Sequence, residues 1–577
     1  LCAQNDSLTQ ILDDVQEEDV NLNNWLEILS EQLIDQEQSA LKKYPRISLT
    51  HRFQYTLEKN EALADHIFIG SPFESYTRMK ARLYQNLATG ILVQKDVGEL
   101  SFTDHYAGYI SWNHPNQAVK IILGNYYIRC GEGLLFSGPF SLPKMAFITK
   151  QSIFRTLQSR PFLSSNEYDG FGGGAIEIGD SKAWKFLLFY SKTIRDGILS
   201  DDNNYITGFE RTGYHRTFTE ANRANRISET SYGGAVQVPI FFLDKIGISY
   251  VKARYSPEII STLSPEEKRR NFYKFYGSST ENFALFYAES FRTLHLSGEL
   301  VPLKSKKIAY NTTLNFNPSE WHFILKSWYI PSCFRSSYGR IPSDSNPFPN
   351  SVQGFMFGTA TNFLGQVKST AFWSVTKELW RSYFQPLPTR KKEFYIQSEY
   401  QFGQKRYLLI RYHVNSSDFY SSDYPWKLEK RKHSIRIQIK KSFNTKMRIQ
   451  TRFEKVFFKY SSAYPTKTGI NFYQDFYWQP LKSISFRIRF SSFSTDDYDA
   501  RLYEYENDLP YVFSNFALYG QGRKWYILFT VKPTTKLILW LKYRRITFNG
   551  VESIGSGLTK IMGDMRQDIH FQIELQY

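Results

Sequence analysis

The chain has 577 residues and is 17% aromatic yet only 42% hydrophobic, with a mean hydropathy of −0.43. Its 33 Gly and 3 Cys exclude collagen-like and disulfide-scaffold classes, the aromatic load excludes disorder, and no run approaches the ~18 apolar residues of a membrane helix. Ten acidic residues and no Lys or Arg fall between 1 and 41, so residues 42–577 carry +27 against a whole-chain charge of +17, an acidic head on a basic body.

Residues 1–44 read as an acidic helical segment. Leu8, Ile11, Leu12 and Val15 recur at helical spacing, as do Trp25, Leu26, Ile28, Leu29 and Leu33. Pro45 ends the pattern. Leu1–Gln4 reads as the tail of a secretory signal peptide, so export with cleavage is expected. Lipidation of Cys2 and a bridge between Cys130 and Cys333 stay open.

From residue 45 to 577 the period is two. Residues 129–170 interrupt it with Gly131, Gly133, Gly138, Pro139, Pro143 and Pro161, and read as an inward-folded plug or constriction, or as an extracellular loop. Residues 214–229 have helical propensity and high charge, which suits a short helix in a lumen or at its mouth. The alternation then becomes clean. Leu408, Ile410, Tyr412 and Val414 oppose Tyr407, Leu409, Arg411 and His413. Ile435, Ile437 and Ile439 oppose Arg436, Gln438 and Lys440, an Asn444-Thr445 turn follows, and Met447, Ile449 and Phe453 oppose Arg448, Gln450, Arg452 and Glu454. Ile484, Phe486, Ile488 and Phe490 alternate with Arg487 and Arg489, and Trp525, Ile527, Phe529 and Val531 follow suit. The chain closes on Ile569, Phe571, Ile573, Leu575 and Tyr577, which resembles the C-terminal targeting strand of bacterial outer-membrane barrels.

These segments are about ten residues long, the length of a tilted strand crossing a bilayer, with aromatics at their ends. The fold class that follows is all-β: a transmembrane antiparallel outer-membrane β-barrel of 22–26 strands over residues 45–577, with 26 the best single value, behind a short N-terminal helical segment.

Four stretches resemble a group of large Gram-negative outer-membrane proteins named for helix-hairpin-helix, or competence-like, domains. They are Gly124-Asn-Tyr-Tyr-Ile-Arg-Cys-Gly-Glu-Gly-Leu134, Gly213-Tyr-His-Arg-Thr217 with Glu220 and Glu229, Tyr503-Glu-Tyr-Glu-Asn-Asp-Leu509, and Ile554-Gly-Ser-Gly-Leu558. The resemblance implies a signal peptide, an acidic helical N-terminus and a barrel. It singles out Gly131, Gly133, Tyr214, His215, Arg216, Glu220, Glu506, Asn507 and Asp508. The hairpins that name the group are not evident here, because Leu41 runs almost directly into strand-like Arg46-Ile-Ser-Leu-Thr-His-Arg-Phe53.

No catalytic or metal-ligand constellation stands out, and the chain is not expected to be an enzyme or to hold a cofactor or metal. If the apolar rows face lipid, then Arg411, Arg436, Lys440, Arg448, Arg452, Arg487 and Arg489 project into the lumen. There they form an anion-selecting ring or pair with Glu399, Glu454, Asp475 and Glu574. Asp496, Asp497 and Asp499 with Glu504, Glu506 and Asp508 read as a solvated loop. The expected function is a channel or transport component for hydrophilic, including anionic, solutes. The alternatives are a structural or assembly component of an outer-membrane complex and, third, a DNA conduit. The expected partners are membrane lipid, the barrel-assembly machinery, and a periplasmic or outer-membrane protein meeting residues 7–40; nucleic acid is not an expected partner.

Overall fold

The computed structural model describes residues 45–577 apart from 117, 140–143, 145–147, 149–154, 181–182, 201, 203, 241–242, 273, 341–350, 364, 382–385, 404, 421–426 and 462–463. The helical expectation for 7–40 and the question of Cys2 lie outside the described residues.

Alternation dictates the architecture. In the strand Leu428–Ser442, Ile435, Ile437 and Ile439 are 38–53% exposed while Arg436 is 1% exposed, so the apolar row faces out and the basic row faces in. The same parity holds in the last strand, Met565–Gln576, where Phe571 and Leu575 face out and His570, Gln572 and Glu574 are buried. An outward apolar face with an inward polar one is the pattern of a membrane barrel. Such a sheet must close, because an open edge in lipid leaves backbone donors and acceptors unpaired. It does close: twenty-four antiparallel strands form the wall. Met565–Gln576 pairs with the first strand, Arg46–Thr56, placing Phe571 opposite Phe53 and Leu575 opposite Leu49.

Twenty-four lies within the expected range but two below the best single value of 26. The strands Leu502–Glu506 and Ser514–Leu518 pair with each other apart from the wall. At five residues each, about 17 Å, they are too short to cross a bilayer. Neighbouring wall strands are joined at one end by turns of two to five residues. The long connections 132–170, 196–226 and 496–520 all lie at the other end.

The strand Val119–Gly131 positions the lumen contents. Its first half pairs with the wall strand His105–Asn113, and its second half pairs with Arg155–Pro161 instead. Gly124, with φ +97°, sits at the changeover, where an added Cβ would run into the backbone of Gly108. Glycine alone fits both constraints. The 214–229 expectation is corrected in extent: the helix covers only Phe218–Arg223, and from Ile227 the chain is already in the wall strand Ile227–Ile240. Thr217 caps it by accepting the Glu220 N–H, so the first helical turn is fixed by the local sequence. Cys130 and Cys333 are both free thiols.

Candidate transport lumen

Connection 132–170 leaves the wall at Gly131-Glu132-Gly133. Both glycines have positive φ, +59° and +86°. A Cβ on Gly131 would lie 2.8 Å from Glu299 Oε2, and one on Gly133 would strike the Arg155 guanidinium. The turn carries Glu132 into the barrel, where its carboxylate accepts from Lys326 Nζ at 2.6 Å, Thr313 Oγ1 at 2.9 Å and Ser297 Oγ at 2.5 Å. Glu299, on the inward face of the wall, accepts the backbone N–H groups of Leu134 and Leu135 at 2.9 and 3.0 Å. Around these anchors the contents are apolar. Leu134, Leu135 and Phe136 belong to one buried core with the inward wall residues Phe286, Ile324, Trp328 and Met356. Further along, Lys144 Nζ reaches Glu393 Oε2 at 2.5 Å.

Connection 496–520 enters from another arc of the wall and is held by charge. Its hairpin, Leu502–Glu506 with Ser514–Leu518, presents Glu504 and Glu506 to the wall, and Asp508 follows. Lys524 Nζ lies 3.0 Å from Glu504 Oε1 and 2.7 Å from Glu506 Oε1. Lys542 Nζ lies 2.8 Å from Glu506 Oε2 and 2.7 Å from Asp508 Oδ2. Arg544 bridges Glu506 at 3.4 Å and Asp568 at 2.5 Å. Both lysines and all three hairpin carboxylates are fully buried. The solvated-loop expectation for Glu504, Glu506 and Asp508 is therefore corrected: they are buried counter-charges, because the wall opposite supplies Lys524, Lys542 and Arg544.

At the long-connection end, His215 ties two connections together. Its Nδ1 lies 2.6 Å from Asp104 Oδ2 and its Nε2 lies 3.1 Å from Asp196 Oδ2. Hydrogen bonds to the two carboxylates raise its pKa to about 11, so the ring is an imidazolium at neutral pH. Arg216 donates to Glu220 at 2.8 Å and lies 3.8 Å over the Tyr214 ring. Burial raises Glu167 to about 9. Burial, with Glu74 and Glu99 nearby, raises Asp96 to about 7. Glu99, Asp104 and His215 are close enough to hold a cation by distance, but both His215 nitrogens already face carboxylates.

The basic lumen candidates all lie on the inward face, and for Arg411, Arg436 and Arg489 the structure has the pairing alternative, with Glu454 and Asp475, in place of an open ring, though the pairs are buried and not solvated. Arg411 and Arg436 both grip Glu454, at 2.9 and 2.8 Å. Arg452 donates to Gln438 at 2.9 Å and lies 4.9 Å over Tyr473. Arg489 reaches Asp475 at 2.6 Å and stacks 4.0 Å over Tyr473. These four arginines are 1–2% exposed. Arg448 and Arg487 flank Tyr477 at 5.2 and 5.3 Å, and Arg487 also donates to Asn507. Lys440 stands across the sheet from Tyr407 and Gln450.

The motif residues fall into three places. Gly131 and Gly133 make the entry turn, Tyr214, His215, Arg216 and Glu220 make the rim clamp, and Glu506, Asn507 and Asp508 make the hairpin contacts. Sequence reasoning missed Glu132, Lys326, Glu299, Lys524, Lys542 and Arg544. Parity was the available signal: Lys326 is a charge within the inward row His322, Ile324 and Trp328.

No protein-family model and no curated sequence matches the chain. Among solved structures, the barrel overlaps the ferric citrate transporter FecA in its unliganded form with a TM-score of 0.43 at 10% identity, over 93% of this chain and 79% of that one. The FrpB iron transporter from Neisseria meningitidis gives 0.43 at 8% identity, over 93% and 82%. The siderophore receptor PirA from Acinetobacter baumannii gives 0.39 at 6% identity, over 93% and 81%. Values of this size assign no function.

Proposed function

We propose that this protein is an outer-membrane transport component for hydrophilic solutes whose pathway is shut at rest by its own connections. One observation carries the reading. The inward face that would line an open pore is engaged in buried pairs, with Arg411, Arg436, Arg452 and Arg489 only 1–2% exposed and two connections packed against the wall. A permanently open pore needs a wetted, charged lining. A shut one needs its lining charges neutralised, since a buried unpaired ion is costly. Transport then requires one of the two inward connections to move.

Single-channel recording in a planar bilayer tests this. The folded wild-type barrel stays silent, and a variant lacking 502–518 shows large steps. Steady large conductance from the wild type overturns the closed state, and silence from a folded hairpin-deleted variant overturns the hairpin as gate.

A second reading, an assembly component of a larger envelope complex, is favoured by apolar residues on the rim connections. Leu100, Phe102 and Phe218 are 60–81% exposed, which suits a protein partner better than water. Co-purification of a partner at fixed stoichiometry, lost on Phe218→Ser, tests it.

A further inference from the structure

On the outer side of the wall, at the long-connection end, cations crowd one arc. The arc comprises Val367–Glu378, Arg390–Phe402, Arg406–Phe419, Leu428–Ser442 and Met447–Tyr460, paired in that order. Parity identifies its outward row, because Trp373, Phe394, Ile410, Ile435 and Phe453 are 38–49% exposed. Followed toward the long connections, the same row holds Lys377, Arg390, Lys392, Arg431 and Lys459, all exposed. Like charge faces like charge: Arg431 stands directly opposite Lys459, and Lys377 opposite Arg390. Such pairings destabilise a sheet unless an anion joins them. Among the described residues, this part of the arc offers two outward carboxylates, Asp418 and Glu429. Asp418 takes Lys427 and, at 2.8 Å, the Arg390 N–H. Glu429 takes the Ser416 hydroxyl and, at 2.9 Å, Arg431. A different arc is balanced at the corresponding level: Lys252 stands opposite Glu281, with Nζ 3.9 Å from Oε1.

A further cation lies deeper. Lys455 belongs to the same outward row, and its cross-strand neighbours are the lipid-facing Ile435 and Ile470. A lysine on the lipid face is costly at the midplane and tolerated near the interface. Its Nζ lies 4.9 Å from the centre of the Phe457 ring. Phe457 stands between Lys455 and Lys459 in the row, so the amine snorkels toward the basic positions. On Leu428–Ser442 the lipid-facing Ile435, Ile437 and Ile439 separate Arg431 from Lys441. That stretch is about 34 Å of strand, or about 25 Å of height once tilted, which matches the apolar band of an outer-membrane barrel. Such barrels carry their longer loops outside, so the basic row stands at the headgroup level of the outer leaflet.

We propose that Lys392, Arg431 and Lys459 bind a phosphate on the headgroup of an outer-leaflet lipid, with Lys455 reaching it from the membrane side. Lys392, Ser416, Arg431 and Lys459 stand in register across four adjacent strands, so the three cations fall within about 14 Å. A phosphate over that row receives a two-pronged donation from the guanidinium and point charges from the amines. Lys455 and the apolar row decide for a lipid over a dissolved anion: they place the site against acyl chains, which only a lipid supplies. Lys377 and Arg390 stand one step toward solvent, where the rest of an anionic headgroup extends. This goes beyond the transport reading and does not rest on it, because the site is on the outer side of the wall and the connections that fill the lumen are on the inner side.

The test titrates the full-length protein, in neutral detergent, with diphosphorylated lipid A and with the same lipid stripped of both phosphates. Native mass spectrometry reads the lipid retained. The wild type should hold the phosphorylated lipid about tenfold more tightly, the scale set by several basic residues acting together on an anionic headgroup. The triple variant Lys392→Gln, Arg431→Gln and Lys459→Gln should lose that preference, and the control Lys252→Gln with Arg254→Gln on the balanced arc should keep it. Equal retention of the two lipids by the wild type overturns the proposal, as does an unchanged preference in the triple variant. Displacement of the lipid by millimolar inorganic phosphate also overturns it, and makes a dissolved anion the occupant. In parallel, amine acetylation of the wild type is followed residue by residue. The phosphorylated lipid should slow modification of Lys392 and Lys459 but not of Lys304, whose side chain is 92% exposed. Unchanged rates at Lys392 and Lys459 overturn the site. This arm needs no substitution, so misfolding of the triple variant leaves the test decisive.

Discussion

Two connections enter one barrel and are held there by different forces. The first, anchored at Gly131-Glu132-Gly133, is apolar: Leu134, Leu135 and Phe136 share a buried core with Phe286, Ile324, Trp328 and Met356. The second, carrying Glu504, Glu506 and Asp508, is ionic: Lys524 and Lys542 are buried with them at 2.7–3.0 Å. Apolar packing is non-directional, so it holds the first connection in place without selecting its register. Buried ion pairs do the reverse. Their attraction is largely offset by desolvation, but a displaced pair leaves bare charges, so register is strict. The first connection also has such register pins, among them the Glu132–Lys326 pair at 2.6 Å and the Lys144–Glu393 pair at 2.5 Å, but most of what holds it is apolar. The difference predicts unequal responses to single substitutions.

The largest expected effect is in the ionic region. Glu506→Gln removes a carboxylate facing Lys524, Lys542 and Arg544. It should cost about 3–5 kcal/mol, the usual penalty for orphaning buried charge. The readout is the thermal unfolding midpoint, together with new protease cleavage within 502–518. A loss below about 1 kcal/mol would mean that water reaches the hairpin and the ionic description is wrong. In the apolar region, Leu135→Ala should cost about 2–4 kcal/mol through the cavity it leaves. It should do so without exposing 132–170 to protease, because Glu299 and Lys326 keep their partners. Equal proteolysis in both variants would erase the distinction.

The same contrast explains what the sequence made legible. Every strand with clean alternation lies after residue 405, where the inward rows are charged because they meet the ionic hairpin or one another. Arg436, Arg452 and Arg489 are examples. Between about 245 and 400 the inward rows include Phe286, Ile324, Met356 and Phe372, because they meet the apolar connection. Both faces of those strands are apolar in places, and a period of two fades when its contrast is lost. Orientation was thus readable where the lumen is ionic and blurred where it is apolar. The pairing of Glu506 with Lys542 was not readable, since it joins residues 36 apart through a hairpin that folds inward. Its local pattern, Tyr503-Glu-Tyr-Glu, resembles an ordinary wall strand.

A smaller effect sharpens the entry turn. Gly133→Ala places a Cβ against Arg155 at φ +86° and should cost about 1–3 kcal/mol. Arg155→Ala in the same chain removes the clash but not the dihedral strain. Partial recovery of the unfolding midpoint in the double variant separates the two causes, and full recovery would remove backbone strain from the account.

The rim clamp tests whether ionic pairing behaves alike at the surface and in the lumen. His215 has a raised pKa of about 11, against an ordinary value of about 6.5. A raised value means that the charged ring is favoured in the folded state. Its contribution is therefore full below about 6.5 and is lost as pH climbs through about 11. Glu167, raised to about 9 by burial, acts in the same direction: its neutral form is favoured, and the contribution fades as pH climbs from about 4.5 through 9. Raising pH from 7 to 10 should therefore loosen connections 96–104 and 196–226, and trypsin should cut at exposed Arg211 progressively faster. His215→Gln should flatten the part of that response above pH 9 and cost about 1 kcal/mol at pH 7, the net worth of a hydrogen bond partly open to water. The hairpin pairs should ignore both pH and salt across this range, because they are buried from screening ions. If salt loosened hairpin and rim equally, the lumen would be wet, and the separation between a register-setting interior and a screened rim would fail.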